Sequence, residues 1–190
     1  MTVVQRTAIL VVFLGLGICA AGPAAAAGPS NTVKGGFVIN PVGSVLLVEY
    51  ERLLNDHLSI GGRFGRLDYD YDDGSYNETG DGNGLEVMVH FYPRGEGFKG
   101  FFLSGSLGFW DVDWEWTDPN DVPTRGTGTS DTIDLAVAVG WKIPLGSEHV
   151  YLEPSLTLGN FFSDSTETTG TQESELGIYV GAGLKVGGAF

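Results

Sequence analysis

The chain has 190 residues, a formal net charge of −14 and a single cysteine. A charge this negative disfavours binding to nucleic acid, whose phosphate backbone is also an anion, and the length leaves room for one folded domain. Hydrophobic residues make up 42% of the sequence and aromatic residues 12%, which is too apolar for a disordered acidic chain.

The N-terminal segment, residues 1–27, has the organisation of a secretory signal peptide. Arg6 is the only charge before an apolar run over residues 8–18, and small residues follow as far as Ala27. A basic flank, a short apolar stretch and an alanine-rich end predict export with cleavage after Ala27. A membrane anchor is disfavoured because the run is shorter than the ~20 residues of a spanning helix.

The single cysteine, Cys19, falls inside this segment. Ile18 precedes it, where a lipoprotein signal would have a small residue, so we expect no lipid anchor at this position. The mature chain, residues 28–190, is then predicted to contain no cysteine, and disulfides cannot stabilise it.

After residue 27, apolar residues recur at every second position, which is the period of a β-strand with two unlike faces. Eight such runs follow one another: 33–41, 45–52, 58–67, 85–92, 101–109, 133–143, 150–159 and 176–190. Each is close to the ~9–11 residues that a tilted membrane strand requires. Short connections alternate with long ones at 69–84, 111–132 and 160–175, as in bacterial outer-membrane barrels. The tight first external connection, 41–43, is the exception.

The two faces of these runs decide between a soluble barrel and a membrane barrel. In 133–143 one face is large and apolar, whereas the other carries Asp134, Ala136, Ala138, Gly140 and Lys142. A soluble barrel would place its large aliphatic residues inside and its charges outside. Small residues on the charged face fit a narrow polar lumen. The sequence therefore predicts an all-β fold, an antiparallel up-and-down transmembrane β-barrel of about eight strands over residues 28–190.

The last strand ends on Phe190, preceded by alternating Ala182, Leu184 and Val186. This pattern is similar to the C-terminal signal by which the barrel assembly machinery recognises bacterial outer-membrane barrels, except for Gly188, where a large apolar residue is more common. Over residues 33–190 the chain resembles the small eight-stranded barrels of the OmpA/OmpX-like superfamily. The stretches Val48-Glu49-Tyr50-Glu51-Arg52, Asp56-His57-Leu58 and Phe91-Tyr92-Pro93 resemble the strand and turn sequences of that superfamily.

The resemblance implies export through the periplasm to the bacterial outer membrane, with outer-membrane lipid and lipopolysaccharide as surroundings and the assembly machinery as a partner. It does not imply one function, because this fold hosts structural anchors, adhesins, enzymes and small pores.

Charged residues at inward strand positions are predicted to form a network in the lumen. By strand parity they are Lys34, Glu49, Glu51, Arg63, Glu86, His90, Asp134, Lys142, Glu153 and Lys185. Side chains fill the interior of an eight-stranded barrel, so these charges must pair or hold water. We expect a salt-bridged plug. The alternative is a path for protons or ions through the same groups.

Strand parity continued beyond the membrane predicts an acidic collar above the lipid, provided that no bulge shifts the register near Phe109. Its members are Asp68, Asp70, Asp72, Asp111, Asp113 and Glu115, with Trp114 and Trp116 facing inward. The run that begins at Asp68 fails the EF-hand pattern, and no cofactor is predicted. We expect Ca²⁺ or Mg²⁺ to bridge the acidic collar to lipopolysaccharide phosphates, since carboxylate and phosphate oxygens are both hard ligands. The alternative is that these acids are only solvated and repel other surfaces.

The leading hypothesis for function is a non-enzymatic barrel that supports the envelope and presents acidic external loops to lipopolysaccharide, cations or external partners. One alternative is a narrow pore or a small-solute binder, with the ligand held near Trp114 and Trp116. Another is a lipid-modifying enzyme, since His57-Leu58-Ser59 resembles the His-x-Ser pair of lipid A deacylases of this architecture. His57 lies at a predicted periplasmic turn, far from the lipid A head, so no catalytic residue is predicted.

Overall fold

The computed structural model describes residues 29–41, 43–118, 125–147, 149–168 and 172–190, so the predicted signal peptide lies outside the described residues. The described chain forms eight antiparallel strands that close into a barrel, each bonded to the next and the last to the first. They are β1 (Asn31–Asn40), β2 (Gly43–Asn55), β3 (Leu58–Asp72), β4 (Asn77–Phe91), β5 (Gly100–Thr117), β6 (Arg125–Ser147), β7 (Val150–Glu167) and β8 (Gln172–Ala189). The described part holds no helix long and apolar enough to cross a membrane. The predicted all-β, up-and-down barrel is confirmed.

The strands extend much further on the external side than the sequence pattern predicts. Most of the expected long loops at 69–84, 111–132 and 160–175 are continuations of β3 to β8. Between β3 and β4, for example, only residues 73–76 lie outside a strand. Apolar alternation stops where the outward side chains become polar, although the backbone ladder continues. The acidic residues expected on external loops therefore lie mostly on strands.

The register around the barrel determines the tilt of the strands. Following the cross-strand partners of Ile39 on β1 through all the strands in turn leads to Gln172 on β8. The direct partner of Ile39 on β8 is Ala182, which lies ten residues further along that strand. The register is therefore displaced by ten residues around the barrel. The line of partners passes through Ser44, Asp68, Asp81, Asp113, Thr129 and Thr166. An eight-stranded barrel with a displaced register of this kind has strands tilted by ~35–45° from its axis.

The outer face of the barrel is apolar and exposed, as a lipid-facing surface must be. Val137 and Leu156 are each 60% exposed. Polar outward residues begin along one line of cross-strand partners: Arg66, Asn83, Asp111, Asp131, Asp164 and Ser174.

Because this line climbs around the barrel, the apolar wall is not of even height. On β3 it runs only from Leu58 to Phe64, or about 15 Å along the barrel axis at ~3.3 Å per residue and ~40° of tilt. On β8 and the terminal residue it runs from Leu176 to Phe190, or about 35 Å by the same arithmetic. The apolar face of β8 is therefore the taller one.

Inside the barrel, large rings lie across glycines of the neighbouring strand. Trp110 covers Gly84, its partner between β4 and β5, and a Cβ atom built on Gly84 would overlap the indole. The same relation holds for Tyr69 and Gly80, Phe102 and Gly140, Trp114 and Gly128, Trp116 and Gly126, Tyr151 and Gly187, Phe161 and Gly177, and Tyr179 and Gly159. These glycines make room for rings that fill the narrow lumen.

The periplasmic end of the lumen is packed by an aromatic cluster formed by Tyr92, Phe98, Phe102 and Tyr151, together with Ala189. Phe98 comes from the turn between β4 and β5, and it is only 8% exposed. Gly97 in this turn has φ 64°, a conformation that glycine adopts without strain, and its N–H donates to the Asp56 carbonyl at 3.1 Å. The turn thereby folds back against the strand ends.

Candidate functional site

The middle of the lumen holds a cluster of paired charges from five strands, here named the central cluster. It consists of Lys34 on β1, Glu49 and Glu51 on β2, Lys142 on β6, Glu153 on β7 and Lys185 on β8, all buried. The three carboxylates and three ammonium groups balance one another. Charges can be buried in this way only when each has close partners, because an unpaired buried ion costs several kcal/mol.

Lys34 connects the three carboxylates of the central cluster. Its Nζ lies 2.8 Å from Glu51 Oε2 and 2.9 Å from Glu153 Oε2, and it also contacts Glu49. Lys185 Nζ lies 3.0 Å from Glu49 and 2.5 Å from Glu153. Lys142 Nζ lies 2.6 Å from Glu51 and 3.6 Å from Glu153. Every glutamate of the central cluster therefore contacts at least two lysines.

The strand register explains why these residues meet. Lys34 and Glu49 are direct partners between β1 and β2, and Glu153 and Lys185 are direct partners between β7 and β8. Opposite charges directly across two strands stabilise a sheet. The alternation of inward and outward side chains then points both pairs into the same lumen.

Aromatic residues connect the central cluster to the periplasmic aromatic cluster. Lys142 Nζ lies 4.6 Å from the ring centroid of Phe98, 5.2 Å from that of Tyr92 and 5.1 Å from that of Tyr151. These distances are within the range of cation–π attraction. The Tyr92 hydroxyl also donates to Glu51. The ion pairs and the rings thus form one continuous packing that fills the lower lumen.

Glu49, Glu51 and His90 form a group whose ligand atoms lie within 4.8 Å of one another, so we tested whether they fit a metal ion. His90 Nδ1 is 3.6 Å from Glu51 Oε1, and Nε2 is 3.9 Å from Glu49 Oε1. The positive charge that a metal would supply is already provided by Lys34, Lys142 and Lys185. We assign no metal to this group.

A second group of charges lies on the external side of the central cluster. Arg63 and Glu86 are direct partners between β3 and β4 and form an ion pair. Asp134 accepts a hydrogen bond from the Tyr179 hydroxyl at 3.1 Å. The structure therefore places all ten residues of the predicted lumen network inside the barrel, seven around the central cluster, counting His90, and three in this second group.

The structure places the residues of the predicted acidic collar on the outside of the barrel, all exposed. The register runs without a shift through Phe109. Asp113 pairs with Asp81, and Asp81 pairs with Asp68. Farther out, Asp70, Asp72 and Glu115 have Thr or Asn residues as cross-strand partners.

Two further acidic residues join the collar on the neighbouring strands. Asp111 lies opposite Asp131, and Asp131 lies opposite Asp164. Partial burial, with Asp131 and Asp113 nearby, raises the pKa of the Asp111 carboxyl above its ordinary value. Sequence reasoning missed Asp131 and Asp164, although continuing the outward parity of β6 and β7 would have found them.

Above the lumen network, the inward rings of the external strands form an upper aromatic group. Trp114 Nε1 donates to Ser130 Oγ at 2.9 Å. Trp116 is 8% exposed, its ring stacks on Tyr76 at 6.3 Å, and its Nε1 has no hydrogen-bond partner among the described residues. The Tyr69 hydroxyl donates to Glu78 at 2.6 Å, and burial together with this bond raises the pKa of Tyr69.

The residues of the His-x-Ser pattern are bonded to different groups. His57 lies in the turn between β2 and β3, where its Nδ1 is 2.9 Å from the Tyr92 carbonyl oxygen. Ser59 is fully buried in the lumen and donates to Glu51 Oε1 at 2.5 Å. The hydroxyl that would act as nucleophile is thus bound to a carboxylate of the central cluster.

The apolar exterior, the ion-paired lumen and the eight-strand closure define the outer-membrane type of β-barrel. Comparison with solved structures agrees. The chain is similar to Ail, the attachment invasion locus protein of Yersinia pestis, with a TM-score of 0.51 and 8% identity over 85% of this chain and 98% of that one. It is also similar to the N-terminal β-barrel domain of Pseudomonas aeruginosa OprF, with a TM-score of 0.47 and 16% identity over 86% and 99%.

No protein-family model and no curated protein matches the chain. At 8% identity the likeness to Ail establishes the fold alone. The predicted architecture, a small eight-stranded barrel of the outer-membrane type, is confirmed. The predicted location in the bacterial outer membrane agrees with this fold.

Proposed function

We propose that the protein is a non-enzymatic outer-membrane barrel with a closed lumen, which supports the envelope and presents its acidic collar outside. The observation that supports this proposal is the continuous packing of the central cluster and the periplasmic aromatic cluster. Lys34, Lys142 and Lys185 neutralise three carboxylates in the lumen, and Phe98 packs at its periplasmic end. A lumen filled in this way leaves little room for solutes.

Single-channel recording in planar bilayers tests the closed lumen. We expect the purified protein to insert without producing conductance steps. The comparison variant is Phe98→Ala, which removes one ring and its cation–π contact with Lys142 but leaves the ion pairs of the central cluster and all strands in place. If the central cluster is sufficient to close the lumen, this variant also stays silent. Regular conductance steps from the parent protein would contradict the proposal and favour the narrow pore.

Binding of a small solute beside the upper aromatic group is the second candidate function. It is supported by Trp116, whose buried Nε1 has no partner among the described residues and is available to an acceptor oxygen of a ligand. Tryptophan fluorescence titrated with candidate solutes, compared between the parent and Trp116→Phe, tests this alternative. A lipid-modifying enzyme is the third hypothesis, and an unchanged lipid A mass on overexpression would speak against it.

The bridging of the acidic collar to lipopolysaccharide by divalent cations stays a prediction. Asp68, Asp70 and Asp72 are exposed on β3, and Arg66 already pairs with Asp81 at 3.0 Å. Thermal unfolding in lipopolysaccharide-containing vesicles, with and without millimolar calcium, tests it. Calcium should stabilise the parent more than the Asp68→Asn, Asp70→Asn, Asp72→Asn triple variant. Equal responses would leave the collar as a solvated rim.

The acidic collar also limits which external partners the protein can bind. Ail was solved in complex with the heparin analogue sucrose octasulfate. For the present chain, exposed carboxylates such as Asp113 and Asp164 would repel a sulfated sugar, since like charges across an interface are unfavourable. We therefore expect its external partners to be cationic.

A further inference from the structure

Strand β8 has a long edge that no described strand covers. Along β7 its pairing extends from Gln172 to Gly188. Along β1 its pairing begins only at Ala182, the partner of Ile39. The β1–β2 hairpin turns at Pro41 and Gly43, below the external half of β8. Residues 172–181 therefore have a neighbour on one side only, among the residues that the structure describes.

The hydrogen bonds at the other end of β8 show which backbone groups face this edge. Phe190 and Asn31 exchange two backbone hydrogen bonds, of 2.8 and 3.0 Å, whereas the Ala189 N–H donates to the His149 carbonyl that precedes β7. In an antiparallel strand, alternate residues direct both backbone groups to the same side. Since the register of β8 has no shift, the N–H and C=O groups of Val180, Ile178, Leu176 and Ser174 point away from β7.

The side chains along this edge have two distinct faces. Leu176, Ile178 and Val180 point outward and are 61%, 74% and 58% exposed. Tyr179 lies inside the barrel over Gly159, and Glu175 shares its inward parity. A strand added at this edge would therefore need apolar residues on its outer face and cationic residues on its inner face.

The gap above the β1–β2 hairpin can accommodate such a strand. On its other side β3 continues beyond Tyr69, the partner of Gly43, as far as Asp72. Two strands, β1 and β2, separate β8 from β3 below the gap, so the opening is wide enough for at least one strand at ~4.8 Å spacing. Asp70 and Asp72 are exposed on the β3 side of the gap, and they add negative charge to that of Glu175.

The free edge of β8 lies at the membrane surface, above the hydrocarbon core of the bilayer. The apolar wall on β8 is about 35 Å tall, against the ~25 Å of a typical barrel belt, so its upper part stands at the membrane surface. Ser174, at the top of the edge, donates to Asp164 at 2.7 Å. Unpaired backbone groups are not tolerated against lipid, whereas at the surface they are available to an added strand.

From this geometry we infer that the free edge of β8 binds an extended cationic polypeptide as an additional strand. The hydrogen bonds come from backbone groups of Ser174, Leu176, Ile178 and Val180. Outward apolar side chains of the peptide pack beside those of Leu176, Ile178 and Val180. Lysine or arginine residues at alternate positions, on the inner face of the peptide, face Glu175. The inference goes beyond the proposed function and does not depend on whether the lumen conducts.

The test uses a fluorescent peptide of five alternating Val-Lys pairs and the full-length barrel in nanodiscs, with binding followed by anisotropy. Ile178→Pro removes one N–H from the free edge but none from the ladder with β7, so we expect at least a tenfold weaker affinity. Ile178→Val is the matched control and should bind as the parent does. A peptide N-methylated at alternate residues should lose affinity by a similar factor.

Further arms test the charge contribution and the strand addition one at a time. Glu175→Gln should weaken binding of the Val-Lys peptide, and a Val-Glu peptide should not bind. Amide I spectra of a ¹³C-labelled peptide should show new strand signal on binding to the parent. If Ile178→Pro binds the peptide as tightly as Ile178→Val and N-methylation has no effect, the inference is overturned and the rim attracts cations by charge alone. Should Ile178→Pro fail to fold, the N-methylated peptide decides the question on the parent protein.

Discussion

Removing Lys34 from the central cluster should lower the stability of the barrel by an amount that can be estimated from its contacts. Lys34→Met retains the length of the side chain and deletes its charge. Breaking a buried ion pair costs about 3–5 kcal/mol. The lower end applies here, because Glu51 keeps Lys142 at 2.6 Å and Glu49 keeps Lys185 at 3.0 Å. We therefore expect a loss of about 3 kcal/mol in the free energy of unfolding.

A second substitution should recover most of this loss. In Lys34→Met the central cluster has one carboxylate too many, and Glu153 shares its lysines with Glu49 and Glu51. Adding Glu153→Gln restores the charge balance and leaves two glutamates, each with a lysine of its own. Because the two sites are in contact, their effects should not add.

Urea titration of the barrel folded into vesicles measures both variants. With m-values of ~1–3 kcal/mol per molar urea, Lys34→Met should lower the unfolding midpoint by one molar or more, and the double variant should return most of the way. A single variant as stable as the parent would refute the estimate. A double variant less stable than Lys34→Met would refute the charge balance on which the estimate rests.

Three other changes test the lipid face, the ring-on-glycine packing and the C-terminus. Leu156→Arg should cost about 2–4 kcal/mol near the bilayer midplane, and an unchanged urea midpoint would argue against lipid contact. Gly84→Ala should cost about 1–3 kcal/mol by overpacking against Trp110, whereas Gly105→Ala, with nothing within 4 Å of the added Cβ, should be neutral; the same titration compares them. Phe190→Ala should reduce the amount of protein in the outer-membrane fraction although the backbone bonds to Asn31 remain possible, and normal amounts would show that the ring is not the recognition element.

Strand number and side-chain direction could be predicted from the sequence because both follow a period of two. Once one residue of a strand is known to face the lumen, all others of the same parity do so, provided that no bulge intervenes. This is why residues as far apart in sequence as Lys34 and Glu153 could be assigned to the same interior. The exposed apolar parity of Val137 and Leu156 identified the lipid face in the same way.

The sequence could not predict the ends of the strands or the partners inside the lumen. Beyond Phe109 both faces of β5 change composition, so the apolar period disappears while the ladder runs on to Thr117. The pairing of lysines with glutamates depends on the register of all eight strands. It also depends on the displacement in register that accumulates from strand to strand around the barrel. Single-sequence patterns carry no signal for that displacement, and they therefore gave no hint of the uncovered edge of β8.

The uneven apolar wall has a consequence for the surrounding bilayer. A membrane of uniform thickness cannot match a face of about 15 Å on β3 and one of about 35 Å on β8 at once. Lipids beside β3 must shorten or the barrel must lean, and each ångström of mismatch costs a fraction of a kcal/mol. A leaning barrel would raise the β3 rim towards the headgroups and lower the top of β8 towards them. The protein would then deform the leaflet asymmetrically, so that neighbouring proteins with their own thin or thick sides would be drawn to opposite flanks of it.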